Sequence, residues 1–413
     1  MNALLLALAM QPVVAPSAGR YEMGVRLIQL DQAWLKNPDV AKRAEAVNEI
    51  SGAVADFFQG RTTEVCRRLD RATEILGGSP VGPVSIRPSR PVKDPSQPVE
   101  VLITWAYSAE PVSVSVGDQK FNLSGGESRG LQIPSGKWQG RSSLKSIRWT
   151  VDAFKGEIQV SELADFSSRV SRLEASKDPM VQGLLRGIQE AAKPGYEVTL
   201  PIGQMLEQAE GLASGKLKPG DLREVHAAVF DGVPLRARLP RRAADKKPPV
   251  VIALHGAGGS ENMFFDSLGA GLAPRLAEER GWIFVSPRSL RNAVSASLTW
   301  LKTVAGVEPG PVLVMGHSMG GGLALQSGSL KPAALALFAP AAGALPADQK
   351  ETPIFLSVGA QEMSLLKRQS DQLAKQLPPK SESKVYPRCE HLMIVAEALP
   401  DVFRFFDRVI ASK

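Results

Sequence analysis

The chain has 413 residues, of which 44% are hydrophobic and 22% are charged, and these fractions exclude a disordered, collagen-like or coiled-coil chain as the main state. The length predicts two or three domains. The net charge of +7 is spread along the chain, and its short basic clusters carry no interleaved aromatic residues, so the sequence predicts no nucleic-acid partner.

The first residues have the features of a leader segment. A short apolar run, Leu4–Ala9, precedes the cleavage-site candidates Val13–Ala15 and Pro16–Ala18. We interpret residues 1–18 as a signal peptide and expect a secreted or periplasmic protein. The alternative is a cytoplasmic protein in which the apolar run is a helical turn. No run of about 20 apolar residues follows, so no integral membrane span is predicted.

Residues 19–222 are predicted to be an N-terminal α+β region in three parts. Apolar residues recur with a helical period over residues 20–76, short alternating segments predict a small antiparallel sheet over 81–160, and helical periodicity returns over 161–215. The proline-rich residues 81–98 are expected to form an extended connector. This half carries no recognisable catalytic motif, so its role stays open.

Residues 223–413 have a different pattern. Two short strands around Asp231-Gly232 are followed by apolar runs that alternate with helical segments. The apolar runs begin at Val250, Trp282, Pro311, Ala334 and Pro353. Apolar strands that alternate with helices predict an α/β fold with a mostly parallel sheet and helices on both faces. Ligands bind such sheets at the carboxyl ends of the strands.

Residues 316–320 have the sequence GHSMG, which is a G-x-S-x-G pattern. The pattern follows an apolar strand and precedes a helical segment, and this is the setting of a nucleophile elbow. In an elbow the serine lies in a strained turn, and the flanking glycines let the strand and the helix approach closely. We therefore predict Ser318 as a nucleophile. The alternative is a glycine-rich start of a helix with a buried serine.

A second glycine-rich stretch, His255–Gly259, directly follows the first apolar strand. Its backbone N–H groups can face a carbonyl oxygen and form an oxyanion hole. We predict Ala257 or Gly258 as one donor and Met319, the residue after the serine, as the other. A phosphate-binding loop is the competing interpretation, but the sequence contains no Gly-Lys-Ser or Gly-Lys-Thr.

Histidine is scarce, so the base for Ser318 is chosen by elimination. His255 and His317 belong to the glycine motifs and are expected to brace loops, and His226 lies in a strand outside the core sheet. His391 lies between the last strand and the final helix, where the order nucleophile, acid, histidine places the base of such a site. We predict His391 as the base.

Glu362 is the first carboxylate after the penultimate strand. A carboxylate at this place would orient the imidazole of His391 and stabilise its charged form. Asp348, which follows the preceding strand, is the alternative acid. Glu362 has a second interpretation as an N-terminal charge on the following helix.

Together these motifs resemble, in their order, those of the α/β-hydrolase superfamily, in particular the branch of dienelactone hydrolases, feruloyl esterases and polyhydroxybutyrate depolymerases. The resemblance covers residues 225–413 and depends on the segments VVIALHGAGGSENMF, PVLVMGHSMGG, IFLSVGAQE and CEHLMIV. It implies an α/β-hydrolase fold, although the family usually has Asp where this chain has Glu362. Ser318 and His391 are too close in the chain for a large lid between them, so the site is expected to be open unless the N-terminal half covers it.

The sequence therefore predicts an exported serine hydrolase that cleaves a small-molecule or polymeric carboxylic ester with no metal or cofactor. A serine peptidase of the prolyl-oligopeptidase type and a non-catalytic binding protein on a hydrolase scaffold are the alternatives. Because every motif lies in residues 223–413, this part is expected to keep its activity when expressed alone. Cys66 and Cys389 are too few for a disulfide framework or a zinc site, and whether they pair stays open.

Overall fold

The structure, a computed structural model, describes residues 19–107, 110–140, 143–193, 198–240 and 247–412. The proposed signal peptide lies outside the described residues. None of the helices in this part of the chain combines the length and the hydrophobicity of a membrane span.

Four helices follow the apolar periodicity at the beginning of the described chain. They are α1 (Arg20–Lys36), α2 (Val40–Ile50), α3 (Ala53–Phe58) and α4 (Thr62–Ile75). Asp39 determines where α2 begins, because its carboxylate accepts hydrogen bonds from the N–H groups of Ala41 at 2.8 Å and Lys42 at 3.2 Å. The helical prediction for residues 20–76 agrees with these elements.

Two small sheets with a common hydrophobic core follow the helices. Their strands are β1 (Val84–Pro88), β2 (Val92–Lys93), β3 (Val99–Trp105), β4 (Val112–Val116), β5 (Gln119–Leu123), β6 (Arg129–Ile133), β7 (Leu144–Val151) and β8 (Phe154–Glu162). The strand orders are β1-β3-β6 and β2-β8-β7-β4-β5. All pairings are antiparallel except that of β2 with β8.

The predicted connector over residues 81–98 is wrong, because this segment contains β1 and β2. Both are edge strands of their sheets. Proline lacks a backbone N–H, and an edge strand tolerates it because one side of that strand needs no ladder partner. Of the five prolines in this segment only Pro88 lies in a strand, at the end of β1, and the other four lie outside β1 and β2.

Three further helices lead to the central sheet, and one of them approaches it very closely. They are α5 (Phe166–Glu174), α6 (Pro179–Ala191) and α7 (Ile202–Ala213), and the first strand of the sheet is β9 (Glu224–Phe230). A Cβ atom on Gly187 of α6 would lie 2.7 Å from the carbonyl oxygen of Ala227 in β9. Only glycine allows the two backbones to pack at this distance.

The central sheet has eight strands in the order β16-β15-β14-β13-β11-β12-β10-β9. After β9 its strands are β10 (Val233–Arg238), β11 (Val250–Leu254), β12 (Ile283–Pro287), β13 (Val312–His317), β14 (Ala334–Phe338), β15 (Ile354–Gly359) and β16 (Glu382–Tyr386). Its helices are α8 (Met263–Asp266), α9 (Leu272–Glu279), α10 (Ala293–Thr303), α11 (Met319–Leu325), α12 (Ser364–Ala374) and α13 (Ile394–Ala411). Strands β11 to β16 are parallel, whereas β9 and β10 are antiparallel at one edge. This is the predicted α/β arrangement.

Each face of the central sheet has its own hydrophobic core, since alternate residues of a strand point to opposite faces. Ile252 of β11 packs in one core with residues of α6 and α7, and Val251 packs in the other core with residues of α1, α2, α4 and α13. Leu30 and Trp34 of α1 share this second core with Phe403 of α13. The N-terminal region therefore contributes to both cores of the sheet.

The two cysteines are buried and free, so the pairing that the sequence left open is absent. Burial raises the pKa of the Cys66 thiol to about 11. A thiol with such a pKa stays protonated at neutral pH and behaves as a small apolar side chain.

Candidate active site

Ser318 lies in a sharp turn between β13 and α11. Its backbone angles are φ 56° and ψ −120°, outside the regions that residues with a side chain ordinarily adopt. A Cβ atom on Gly316 would lie 2.2 Å from the carbonyl oxygen of Gly320, and one on Gly320 would lie 2.1 Å from the carbonyl oxygen of Leu254. The glycines thus let strand and helix meet around a strained serine, and this is the geometry of a nucleophile elbow.

His391 lies in the loop between β16 and α13, next to a buried carboxylate. Its Nδ1 is 3.1 Å from Oε1 and 3.0 Å from Oε2 of Glu362. The carboxylate of Glu362 is fully buried, and its Oε1 also accepts the N–H of Met363 at 2.9 Å. This contact favours a proton on Nδ1 and leaves Nε2 as the basic nitrogen of the ring. Because Ser318 lines the same cavity as His391, the structure brings all three predicted side chains into one site.

Asp348, the alternative acid, and His226, the remaining histidine, lie away from this site. Asp348 packs at Gly328, where an added Cβ atom would lie 2.3 Å from its Oδ2. Gly328 lies three residues beyond the last residue of α11, so Asp348 is at the opposite end of the helix that begins after Ser318. His226 lies on the edge strand β9, with its Nδ1 3.6 Å from Oε1 of Glu224. Among the described residues, no group of three or more His, Cys, Asp or Glu side chains is placed to hold a metal ion.

His255 and His317 brace the loops around the site, as the sequence suggests. The Nε2 of His255 accepts the N–H of Ser289 at 3.0 Å, and its Nδ1 donates to the carbonyl oxygen of Gly256 at 2.8 Å. The Nε2 of His317 donates to the carbonyl oxygen of His391 at 2.9 Å. Burial lowers the pKa of His255 to about 4 and that of His317 well below its usual value, so both rings are neutral.

Residues 256–259, here called the oxyanion loop, pass directly beside Ser318. Ala257 and Gly258 line the cavity that contains Ser318, and a Cβ atom on Gly256 would lie 3.2 Å from the Cβ atom of Ser318. Met319 is the first residue of α11, and N–H groups in the first turn of a helix have no partner within that helix. The residues predicted to supply the oxyanion donors therefore lie beside the serine.

Helices α1, α3 and α4 cover this site. The sequence predicts an open site unless the N-terminal half covers it, and the structure shows that the N-terminal half does cover it. Phe57 of α3 lies against the oxyanion loop, since a Cβ atom on Gly258 would lie 2.5 Å from its Cζ. From α1, Arg20 Nη2 donates to the carbonyl oxygen of Gly259 at 3.1 Å, a contact between residues 239 positions apart. No local pattern in the sequence could have indicated these contacts.

Two buried carboxylates that the sequence analysis missed lie near His391. Oε1 of Glu390 accepts the N–H groups of Leu392 at 2.8 Å and Met393 at 2.9 Å. Oδ1 of Asp31 in α1 accepts the N–H of Gly269 at 2.9 Å, while its Oδ2 has no hydrogen-bond partner among the described residues. Burial raises the pKa of each group to about 7, and the charge of Glu390 adds to the rise at Asp31.

We expect Asp31→Asn to make protein stability less dependent on pH. The folded-state pKa of Asp31 is about 7, whereas an unfolded Asp has a pKa of about 3.9. The folded state therefore holds the proton more tightly, and the free energy of unfolding falls by a few kcal/mol as the pH rises from about 4 to about 7. Asn cannot ionise, so this part of the fall disappears.

Urea unfolding at about pH 5 and about pH 8 measures the effect. The matched control is Asp371→Asn, because Asp371 is exposed on α12 and pairs only with Lys367 at 3.1 Å in the described structure. The control should show the wild-type difference between the two pH values. If the stability of Asp31→Asn differs between the two pH values as much as that of the wild type, the raised pKa of Asp31 is contradicted.

Comparison with protein families agrees with the fold. Residues 250–407 match the alpha/beta hydrolase family. Est1E from Butyrivibrio proteoclasticus is a similar solved structure, with 15% identity, 46% of this chain and 100% of that chain covered, and a TM-score of 0.37. An esterase from Pyrobaculum calidifontis has 17% identity, with 45% of this chain and 84% of that chain covered and a TM-score of 0.36. A dienelactone hydrolase from Anabaena variabilis has 16% identity, with 43% of this chain and 91% of that chain covered and a TM-score of 0.35. A search of curated proteins found no match.

Proposed function

Because residues 250–407 match the alpha/beta hydrolase family, we propose that this protein is a serine hydrolase that cleaves carboxylic esters. One observation carries the proposal. A serine in a strained turn shares its cavity with His391, whose Nδ1 lies 3.0 Å from the buried carboxylate of Glu362. Nucleophile, base and orienting acid are the three parts that acyl transfer by serine requires.

In the first half of the reaction, Ser318 Oγ attacks the carbonyl carbon of the ester while Nε2 of His391 takes the hydroxyl proton. Glu362 keeps the other ring proton on Nδ1 and stabilises the imidazolium. The backbone N–H groups of Met319 and of the oxyanion loop donate to the negatively charged oxygen. His391 then gives its proton to the departing alcohol, and the acyl group remains bonded to Ser318.

In the second half, water enters in place of the alcohol. His391 takes a proton from this water, whose oxygen attacks the acyl carbon, and the same N–H donors hold the oxyanion again. The bond to Ser318 then breaks, and the serine recovers its proton from His391 as the carboxylic acid leaves. The neutral, buried rings of His255 and His317 keep the surrounding loops in place and take no proton in either half.

A fluorophosphonate probe and an ester screen test this proposal. We expect the probe to label Ser318 in the full chain, as found by mass spectrometry of the labelled peptide, and the protein to hydrolyse p-nitrophenyl acetate. Labelling combined with cleavage of peptide substrates alone would instead support the peptidase alternative. A folded protein that neither reacts with the probe nor hydrolyses esters would support the non-catalytic alternative.

Glu362→Gln is expected to lower kcat for p-nitrophenyl acetate by about 10⁴-fold, roughly a hundredfold less than removal of His391. The amide cannot stabilise the imidazolium and favours the wrong ring tautomer. Asp348→Asn is the matched control and should keep kcat near the wild-type value, because Asp348 packs against Gly328 rather than at the site. If Asp348→Asn is the variant with the large loss, the assignment of the acid is wrong.

A further inference from the structure

The cavity at Ser318 extends into an apolar space beneath the N-terminal helices. Helices α1, α3 and α4 contribute apolar residues to its wall, and six of them, here called the N-terminal pocket, are Met23, Leu27, Val54, Phe57, Val65 and Leu69. The described cavity has a volume of about 150 Å³. The cavity is also lined by Met263, Leu268 and Leu392, which belong to residues 223–413, here called the hydrolase region. A site with such a lining favours a hydrocarbon group over a charged one.

The polar side chains that reach this wall have partners within the protein. Asp266 forms an ion pair with Arg236 at 2.6 Å. Oδ1 of Asn262 lies 3.4 Å from Nη1 of the same arginine. Arg20 donates to the carbonyl oxygen of Gly259 at 3.1 Å. These contacts occupy the charged groups nearest to the pocket, so the chemistry that the wall offers to a ligand is chiefly apolar.

Specific contacts hold the N-terminal helices on the hydrolase region. The indole Nε1 of Trp34 in α1 donates to Oε1 of Glu397 in α13 at 2.7 Å. Asp31, one turn earlier on the same helix, accepts the N–H of Gly269 at 2.9 Å. Phe57 of α3 packs on Gly258 of the oxyanion loop. The pocket is therefore a built part of the site, with one wall in direct contact with the loop that holds the oxyanion.

We propose that the N-terminal pocket binds the acyl group of the substrate and makes the protein specific for esters of apolar carboxylic acids. This inference rests on the proposed function. The acyl group, unlike the alcohol, stays bonded to Ser318 until water releases it, so it must occupy the space that begins at this serine. The leaving alcohol needs a route to solvent, and Phe58, which lines the cavity and is 64% exposed, marks such an opening.

A series of p-nitrophenyl esters with one alcohol and different acyl chains tests the proposal on the full-length protein. From acetate through butyrate and hexanoate to octanoate, kcat/KM should rise by about fourfold for each CH₂ group that enters the pocket, and level off once the pocket is full. An alcohol series, from ethyl to hexyl acetate, should show no comparable rise.

Leu27→Trp should reduce the pocket and lower the ratio of kcat/KM for octanoate to that for acetate at least about tenfold. Leu35→Trp is the matched control, because Leu35 is on the same helix, is 37% exposed and lies outside the wall of the cavity. Its ratio should equal that of the wild type. If Leu27→Trp does not fold, Met23→Trp replaces it as the test variant, because Met23 is another half-buried residue of α1 that lines the pocket.

The outcomes separate this inference from the function on which it rests. Hydrolysis that is insensitive to acyl length, or an unchanged ratio in both pocket variants, overturns the acyl assignment and leaves the serine hydrolase intact. A preference that follows the alcohol series also overturns it, because the pocket would then hold the leaving group. A wild-type protein without ester hydrolysis or probe labelling overturns the proposed function itself.

Discussion

Ser318→Ala is expected to lower kcat for p-nitrophenyl acetate by about 10⁶-fold, because removing the nucleophile of a triad leaves only the binding and oxyanion contributions to the rate. Labelling by a fluorophosphonate should disappear completely. Alanine removes only one hydroxyl from a residue that lines the cavity, so the variant should unfold near the wild-type urea midpoint. Steady-state kinetics and urea unfolding of the same preparation measure both expectations.

Ser327→Ala is the matched control for this experiment. Ser327 is also buried and follows α11, and its hydroxyl donates to the carbonyl oxygen of Ala324 at 2.6 Å without lining the cavity. Its loss should cost about 1 kcal/mol of stability and leave the probe reaction in place. Turnover at the wild-type rate in a well-folded Ser318→Ala protein would falsify the proposed mechanism.

A protein shortened to residues 223–413 is expected to lack a cooperative fold and all ester hydrolase activity. The sequence alone predicts the opposite, because every catalytic motif lies in this part. In the structure, however, Leu30, Trp34 and Ile50 are buried in the same core as the sheet and α13. Each large buried side chain contributes about 1.5–3 kcal/mol, whereas a whole domain is stable by only about 5–15 kcal/mol.

The second face of the sheet loses its cover in the same truncation. Helix α6 packs on β9 with Gly187 against the carbonyl oxygen of Ala227, and the shortened protein lacks α6. The face of the sheet that α6 covers would then be exposed, and a large exposed apolar face leads to aggregation. Circular dichroism, size-exclusion chromatography and p-nitrophenyl acetate hydrolysis, each compared with the full chain, test the expectation. A monomeric, cooperatively unfolding shortened protein with wild-type kcat would show that the two cores are complete without the N-terminal region.

Local features of the chain carry much of the fold of residues 223–413. Apolar runs with glycine-rich ends predict buried parallel strands, and the order of runs and helical segments predicts a sheet covered on both faces, which the structure confirms. The strained turn at Ser318 also follows from local sequence, because glycines at positions 316 and 320 are what the close approach of strand and helix demands. The positions of Glu362 and His391 after successive strands predict their proximity, since parallel strands end at one edge.

The prolines of residues 81–98 show where such reasoning stops. Their number argues against strands, but four of the five lie outside β1 and β2, and the fifth, Pro88, ends an edge strand, which tolerates it. Only strand pairing reveals which strands are at an edge. The buried carboxyl group of Asp31 is a second case. Nothing in the helical pattern of α1 distinguishes this residue from a solvated charge, because its partner Gly269 is 238 positions away in the chain.

By itself, the sequence determined the elements of the C-terminal region, the elbow at Ser318 and the candidate partners of that serine. Each of these depends on the spacing of residues within one or two neighbouring elements. Only the tertiary structure decided that α1, α3 and α4 cover the site and supply its apolar wall. The physical reason is that an apolar helix face must be buried but does not specify its partner. The contact of Phe57 with Gly258 depends on packing between residues 201 positions apart, which no local pattern encodes.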